Sequence, residues 1–257
     1  MNTTNPLLEV RGIGHKFGGL HVLRDVNCCV KPGAVTGLIG PNGSGKSTLF
    51  NIITGYLRPQ LGNIIFDKID ITAGSPESLS HIGIIRTFQT PQVFHNMTVL
   101  DNVMTSCVAR LKPNFLHDIL GLSSSSRQMK KAKDQAMTVC DQFGLSELTK
   151  KMAGELSAGQ RRSLELARAV ACKPRLLMLD EPSSGLNLDE IEVLKQCITT
   201  LSNHDVSVFL VSHDMSLMQV ASSVHVLYYG EVIAIGTMAE IYGNKYVQQV
   251  YLGVAKC

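Results

Sequence analysis

The chain has 257 residues, of which 44% are hydrophobic and 18% are charged, and its formal net charge is +3. This composition excludes an intrinsically disordered chain, and the length is enough for one large domain or two small ones with a substantial core. The positive charge is too small to indicate nucleic acid as the main partner, although it does not hinder the binding of polyphosphates.

Apolar runs and cysteines narrow the class further. Residues 176–179 and 206–211 are the best apolar runs, and both are far shorter than the roughly 18 residues of a membrane-spanning helix. Residues 1–8 are polar and carry no signal-peptide pattern, so a membrane role is expected to depend on partner proteins. The seven cysteines have no metal-site spacing, which favours reduced thiols that pack as small hydrophobic residues.

The N-terminal part of the sequence alternates short strands with tight turns. A turn is predicted at Gly18 and Gly19, and after it apolar residues recur at every second position from Val26 to Val30, the spacing of a half-exposed antiparallel strand. Further on, a Gly-rich turn leads into a helix that is predicted to begin near Lys46. The predicted strands of this part are residues 7–12, 22–30, 35–39, 62–67 and 82–88.

From about residue 91 to residue 159 the composition changes. This part is helix-biased and broken near Pro113 and at residues 122–126, which predicts a helical subdomain with a mobile loop inside it. After Ser157, helices alternate with two almost uniformly apolar strands, which indicates a buried parallel sheet. The predicted elements are helices at 161–171 and 189–202, strands at 176–179 and 206–211, and a hairpin of residues 224–229 and 232–235.

The first segment that carries chemistry is Gly-rich and lies between a predicted strand and a predicted helix. Its glycines let successive N–H groups turn inward as a concave anion site, to which the following helix adds its positive end. Lys46 is expected to reach the β- and γ-phosphates and the Ser47 hydroxyl to ligate Mg²⁺. The alternative, a turn without function, does not explain this context. The segment is Gly40, Pro41, Asn42, Gly43, Ser44, Gly45, Lys46, Ser47 and Thr48.

The second segment is an apolar strand that ends in two acids, Asp180 and Glu181, followed by Pro182. Ligands of open α/β sheets gather at strand carboxyl ends. Asp180 suits coordination of Mg²⁺ or its outer sphere, and Glu181 suits a general base that polarises the attacking water. An acid pair after a strand is by itself often only a helix cap. Together with the phosphate-binding segment upstream, however, it predicts a phosphate-loop NTPase.

The third segment is Ser157, Ala158, Gly159 and Gln160. Ser157 is a predicted N-cap, and the exposed N–H groups of its helix make a second anion site in the same chain. A Ser-capped helix is ordinary, but at this distance before the acid pair the segment resembles the signature motif of ABC transporter ATPases. In that family the signature of one subunit covers the γ-phosphate held by the other. Gly is commoner than Ala at position 158.

Four more residues resemble functional positions of that family. Gln89 resembles the glutamine that touches Mg²⁺ or water and links the core to the helical subdomain. His213 resembles the histidine that contacts the γ-phosphate. Phe17 resembles the aromatic residue that stacks on adenine, with a packing role as the alternative. Asn187 occupies the D-loop position, where many relatives have Asp.

The resemblance covers about residues 7–252 and implies an α/β fold. It implies a RecA-like phosphate-loop NTPase core with an N-terminal antiparallel β subdomain and an inserted helical subdomain. The whole chain, 1–257, is then a single nucleotide-binding domain, with the core at about 1–90 and 160–257 and the helical subdomain at about 91–159. The implied activity is hydrolysis of ATP with Mg²⁺, coupled to transmembrane solute transport.

Within the family, the chain looks most like the longer ATPase of the high-affinity branched-chain amino-acid importers. Residues 16–20, 86–89, 184–187 and 251–253 carry this resemblance, together with an enlargement of the helical subdomain at about 111–130. The alternatives are an ABC ATPase for urea, aromatic acids or lipid export, and a soluble ABC ATPase. A small-molecule kinase explains the phosphate-binding segment but not the signature, and a non-hydrolysing module is not expected to keep both Glu181 and His213.

The resemblance also implies partners and a location. The partners are transmembrane permease subunits, a second ABC ATPase that is expected to be a different sister chain, and, indirectly, a periplasmic or extracellular solute-binding protein. No nucleic-acid partner is expected. The implied location is peripheral, at the cytoplasmic face of the cell (inner) membrane.

Overall fold

A computed structural model describes residues 5–87, 90–109 and 124–251 of the chain. Within these residues, no helix is both long enough and apolar enough to cross a membrane. These residues form two compact units, the first containing residues 5–87, 175–184 and 198–251 and the second residues 90–109, 124–174 and 185–197.

All the strands of the described residues belong to the first unit. They are β1 (Leu8–Phe17), β2 (Leu20–Val30), β3 (Val35–Ile39), β4 (Leu61–Phe66), β5 (Ile69–Asp70), β6 (Ile84–Arg86), β7 (Leu176–Asp180), β8 (Ser207–Val211), β9 (Ser223–Tyr228) and β10 (Glu231–Gly236). The helices are α1 (Lys46–Ile53), α2 (Pro76–His81), α3 (Val99–Ala109), α4 (Ser124–Gln142), α5 (Ala158–Ala171), α6 (Leu188–Asn203), α7 (Met238–Gly243) and α8 (Lys245–Tyr251).

A four-stranded sheet of order β2-β1-β4-β5 is antiparallel throughout. In β2, Val26, Cys28 and Val30 are buried and the residues between them are exposed, so the predicted half-exposed strand is confirmed. β1 runs past the predicted end at Gly12. This glycine has φ +61° and lies in an irregularity of the pairing with β2, which lets the strand continue after a local bulge.

A six-stranded sheet of order β10-β9-β3-β8-β7-β6 is parallel from β9 to β6, and β10 closes it as an antiparallel edge. Every residue of β3 and β8 is buried, and so are the first four residues of β7. The burial of β7 and β8 agrees with the almost uniformly apolar sequences at 176–179 and 206–211. The predicted hairpin of β9 and β10 is confirmed. Its turn contains Tyr229 and Gly230, both with positive φ, a backbone that favours tight hairpin turns.

One core holds both sheets and α1 together. It contains residues of β1 and β4 from the antiparallel sheet, residues of β3, β7 and β8 from the other sheet, and one face of α1. Phe50 of α1 packs against Phe209 of β8 with ring centroids 5.2 Å apart. The helix that follows the Gly-rich segment is therefore fixed to the centre of the parallel sheet.

The prediction of a strand at residues 82–88 was too long. Ser75 and Pro76 begin the short helix α2, which was not predicted although Ser followed by Pro is a helix-start signal. A turn follows, with Gly83 at φ +99°, so the strand begins only at Ile84 and ends at Arg86. Phe88 lies outside the described residues.

The second unit is helical, as predicted from its composition. α3, α4 and α5 pack against one another, and α3 is joined to the segment before α5 by a hydrogen bond from the Val99 N–H to Lys151 O (2.9 Å). The predicted break at residues 122–126 is partly wrong, because α4 already begins at Ser124, and serine is common at helix starts. The loop predicted near Pro113 lies outside the described residues.

Candidate functional site

Three of the predicted segments meet at one edge of the six-stranded sheet. β3, β8 and β7 are parallel neighbours, and Leu38 and Asp180 are both register partners of Val211. The Gly-rich segment follows β3, Glu181 follows β7, and His213 follows β8. Because the carboxyl ends of parallel strands lie at the same edge, the sheet topology brings these segments together.

Residues 40–48, the phosphate loop, end in the helix α1. Gly43 and Gly45 have φ of +81° and +107°, a region that side chains disfavour. A Cβ at Gly45 would also lie 2.6 Å from Leu23 Cδ2, so only glycine fits there. Gly45 is the N-cap of α1 and offers no side chain, which leaves the first N–H groups of the helix without capping partners and open to an anion.

The ammonium group of Lys46 lies within the same loop. Its Nζ donates to the carbonyl oxygens of Gly40 (2.8 Å) and Pro41 (3.0 Å), and the residue is only 8% exposed. Burial lowers the pKa of Lys46, and the negative charges of Glu181 and Asp180 oppose that shift. Lys46 makes no salt bridge within the described part of the chain. Its charge is therefore available to a polyphosphate.

Asp180, the last residue of β7, is paired with a side chain that had no predicted role. Arg86 Nη2 donates to Asp180 Oδ2 at 2.7 Å, and the two side chains are 10% and 13% exposed. Arg86 Nη1 donates to Asn51 Oδ1 (2.7 Å) and Thr54 Oγ1 (3.1 Å), in α1 and at its C-terminal cap. Arg86 thus joins the end of β7 to the helix after the phosphate loop and orients the Asp180 carboxylate.

Glu181 and His213 contact each other directly. His213 Nδ1 lies 2.7 Å from Glu181 Oε2, and the His213 N–H donates to the same oxygen at 3.4 Å. Glu181 has φ +48°, and its N–H donates to Val211 O (2.9 Å), which ties it to the neighbouring strand. The side chain of Glu181 is 18% exposed and that of His213 is 70% exposed. A carboxylate in this position can accept a proton from a bound water molecule.

The signature segment, residues 157–160, begins α5 in the second unit. Ser157 Oγ accepts the Gln160 N–H (3.2 Å) and Gln160 Oε1 accepts the Ser157 N–H (3.0 Å), which is a reciprocal capping box. The prediction of Ser157 as an N-cap is confirmed, and Ala158 and Gly159 form the first turn of the helix. The partial positive charge of a helix start lies at these residues.

A carboxylate that was not predicted contacts the same helix start. Glu190 Oε1 accepts the Gly159 N–H at 2.8 Å and the Ser157 hydroxyl at 3.4 Å. Glu190 Oε2 accepts the Asn187 N–H (3.1 Å), while Asn187 Oδ1 accepts the Glu190 N–H (2.9 Å). One side chain therefore links the predicted D-loop residue to the signature segment.

Two further predicted residues had different outcomes. Phe17 ends β1, is 52% exposed, and touches His15 edge-on with ring centroids 4.7 Å apart, so about half of the residue remains accessible to a planar partner. Gln89 lies outside the described residues, and its predicted contact with Mg²⁺ or water stays a prediction.

The two unpredicted residues, Arg86 and Glu190, were both signalled in the sequence. An arginine in a short apolar strand needs a carboxylate partner when it is buried. Asn187 and Glu190 have the spacing of a capping box, three residues apart at the start of a helix. Neither signal identifies the distant residue that is contacted, which is Asp180 for Arg86 and Gly159 for Glu190.

The ends of the parallel strands present a Gly-rich loop with a lysine, a paired aspartate and an adjacent glutamate. This combination defines a phosphate-loop NTPase. A family model described as "ABC transporter" matches residues 23–184. The chain belongs to this family of ABC transporter proteins, as one of its ATP-binding and ATP-hydrolysing subunits.

Curated relatives match almost the whole chain. The high-affinity branched-chain amino acid transport ATP-binding protein BraF of Pseudomonas aeruginosa is 38% identical, over 98% of this chain and 100% of its own. LivG of Escherichia coli K12, which has the same descriptive name, is 36% identical with the same coverage. Among solved structures, the ADP conformation of an ATP-binding cassette of an ABC transporter is 30% identical, with a TM-score of 0.83, and covers 97% of this chain and 100% of that one.

Proposed function

We propose that this subunit drives the import of branched-chain or other small amino acids. The observation that carries the proposal is the match, from end to end, to two relatives named for branched-chain amino acid transport. These alignments cover 98% of the chain. Residues 16–20 and 184–187 are among the segments that resemble the longer importer ATPase.

The nucleotide site of the proposal lies in the first unit. Phe17 stacks on the adenine, and the phosphate loop holds the β- and γ-phosphates with its N–H groups and Lys46. Ser47, Asp180 and Gln89 would hold Mg²⁺. Their oxygen atoms suit this hard cation, and no cluster of three or more His, Cys, Asp or Glu residues in the described part of the chain offers a different metal site. When bound, Mg²⁺ neutralises charge on the phosphates.

Hydrolysis in this proposal depends on Glu181. Its carboxylate takes a proton from the water that attacks the γ-phosphorus, as the bond between that phosphorus and the bridging oxygen of ADP breaks. His213, which is already bonded to Glu181 Oε2, orients that carboxylate and contacts the γ-phosphate. Arg86 keeps Asp180 turned toward α1 through its three hydrogen bonds.

A second copy of the fold completes the site. The signature segment Ser157–Gln160 of one subunit faces the γ-phosphate bound to the other subunit. Ser157 offers its hydroxyl and Gly159 its helix-start N–H to that phosphate. Asn187 of the D-loop lies beside the signature segment. The chain acts as a single nucleotide-binding domain, 1–257, with its core at about 1–90 and 160–257. ATP favours the closed dimer and ADP the open one, and this difference in binding does the transport work.

The proposed partners follow from the family assignment and from the relatives named for transport. They are transmembrane permease subunits, a sister ATPase, and an extracellular or periplasmic solute-binding protein that delivers the amino acid. The subunit is then peripheral, at the cytoplasmic face of the membrane.

Transport of radiolabelled solutes tests the substrate. Deleting the gene in a strain without redundant transporters should abolish high-affinity uptake of leucine and valine and leave uptake of urea unchanged. The intact gene should restore uptake, and a copy with Lys46→Ala should not. Normal leucine and valine uptake in the deletion strain would overturn the amino-acid proposal and leave the ATPase assignment standing.

A further inference from the structure

The side chain of Glu190 contacts the two groups of the signature segment that we propose for the γ-phosphate of the facing subunit. Its Oε1 accepts the Gly159 N–H at 2.8 Å and the Ser157 hydroxyl at 3.4 Å. A Cβ built on Gly159 would lie 2.5 Å from the same oxygen, so the carboxylate rests directly against the backbone at the start of α5. An anion of the chain itself therefore occupies an anion-binding helix start.

Helix capping alone does not explain this contact. Glu190 Oε2 and the Glu190 N–H form a complete capping box with Asn187 at the start of α6. The second oxygen is not needed for that cap, and it is turned toward α5. The N–H groups of Asn187 and Gly159 lower the pKa of Glu190, so the side chain is a carboxylate at neutral pH.

We propose that Glu190 competes with ATP for the signature segment, occupying the phosphate-binding groups of the open subunit and leaving them when the dimer closes. The inference rests on the proposed function, because it takes the signature segment as the site of the facing phosphate. A γ-phosphate brings more negative charge and more acceptor oxygens than a carboxylate, so it displaces Glu190 once the facing subunit has bound ATP. Glu190 thereby raises the ATP concentration that closure requires.

The competing explanation is that Glu190 only positions the signature segment by tying it to α6. The two roles predict opposite results. If Glu190 competes with ATP, it opposes closure, and its removal lowers the ATP concentration at which the dimer forms. If Glu190 only positions the signature segment, it supports closure, and its removal raises that concentration.

The experiment compares dimer formation as a function of ATP concentration in the Glu181→Gln background, which slows hydrolysis. The protein is studied together with the ATPase subunit with which it dimerises, by light scattering. Glu190→Gln keeps an oxygen for the Asn187 cap but removes the charge, and it should lower the half-maximal ATP concentration by about tenfold, the order expected for a charge-assisted contact. Glu192→Gln is the matched control, since it removes an exposed charge of the same helix that pairs with Lys195.

Glu192→Gln should leave the half-maximal ATP concentration unchanged. An unchanged or higher ATP requirement in Glu190→Gln would overturn the proposal, as would an equal decrease in both variants. Ser157→Arg in the same background tests the underlying site separately. If it formed the dimer as readily as its parent, the facing-phosphate site itself would be wrong, whatever Glu190→Gln did.

Discussion

The starts of α1 and α5 are two helix ends with opposite surroundings. At α1, the N-cap Gly45 has no side chain, and the chain supplies a cation, Lys46, beside the open N–H groups. At α5, the N-cap Ser157 closes a capping box, and the chain supplies an anion, Glu190, to the Gly159 N–H. Both ends offer the same backbone donors and the same partial positive charge.

The difference teaches that a helix start by itself does not determine how strongly it binds phosphate. In the proposed mechanism the start of α1 holds a polyphosphate within one subunit, because donors and a positive charge are already combined there. The start of α5 is satisfied by its own chain, so we expect it to bind phosphate only when a facing subunit supplies it at high local concentration. Mutations at the two ends should therefore affect different steps.

The largest expected effect is at α1. Lys46→Ala should abolish ATP binding, because it removes the buried ammonium group and the bonds from its Nζ to Gly40 and Pro41 that shape the loop. Calorimetric titration with ATP measures the loss. Lys31→Ala, at an exposed turn lysine, is the control and should bind normally. ATP binding by Lys46→Ala at the unaltered affinity would contradict the role given to the start of α1.

Glu181→Gln should separate binding from chemistry at the same sheet edge. The amide cannot take the proton of the attacking water, so steady-state hydrolysis should fall by about two orders of magnitude or more. ATP affinity should remain, and an ATP-bound dimer should accumulate, as seen by size-exclusion chromatography. Near-normal hydrolysis would remove Glu181 from the role of base.

Ser157→Arg tests the other helix end. The bulky cation should block closure while the affinity of the single subunit for ATP stays within about twofold, because the phosphate loop is unchanged. Mixing Ser157→Arg with Lys46→Ala protein sharpens the comparison, since in a homodimer one of the two mixed sites keeps both an intact loop and an intact signature. A loss of ATP affinity as severe as that of Lys46→Ala would show that the two ends do not act in different steps.

The smallest expected effect is a loss of folding stability at low pH. It must be measured first, because unfolding would affect any comparison of the two helix starts at low pH. His225 of β9 is buried, and burial lowers its pKa to about 4. The unfolded chain binds a proton near pH 6.5 and the folded chain does not, so stability is lost as the pH falls from about 6.5 to 4, by about 3 kcal/mol in total. Urea unfolding at several pH values measures this loss.

The matched variant for that measurement is His225→Gln. Glutamine keeps a donor for the backbone hydrogen bond with Cys29 but does not titrate, so the variant should lose less stability over the same pH range. Equal pH dependence of the two proteins would exclude His225 as the cause.

The parts of the fold that depend on short-range patterns were predictable. β7 and β8 lie in almost uniformly apolar runs and are buried, and the alternation from Val26 to Val30 predicted one buried face. The region at residues 82–88 was misjudged because Ile82, Ile84 and Ile85 suggest a strand. A helix start at Ser75 and the turn at Gly83 determine where that strand begins.

The candidate site divides in the same way. The phosphate loop, the acid pair and the Ser157 cap are contiguous motifs, so the sequence alone predicted them. The Arg86–Asp180 pair joins residues 94 positions apart, and the Glu190–Gly159 contact joins residues 31 positions apart. Such contacts depend on strand order and on the direction of side chains, which no local pattern contains.

The backbone of Glu181 has a consequence for how this protein can change. Its φ of +48° is in the left-handed region, where a residue with a Cβ is disfavoured by about 1 kcal/mol and glycine is not. Glu181→Gly would suit this backbone conformation, but it would remove the carboxylate and its hydrogen bonds with His213. The backbone preference and the side-chain contacts at this position therefore act in opposite directions on stability, so the residue that favours the backbone is one that cannot serve as the base.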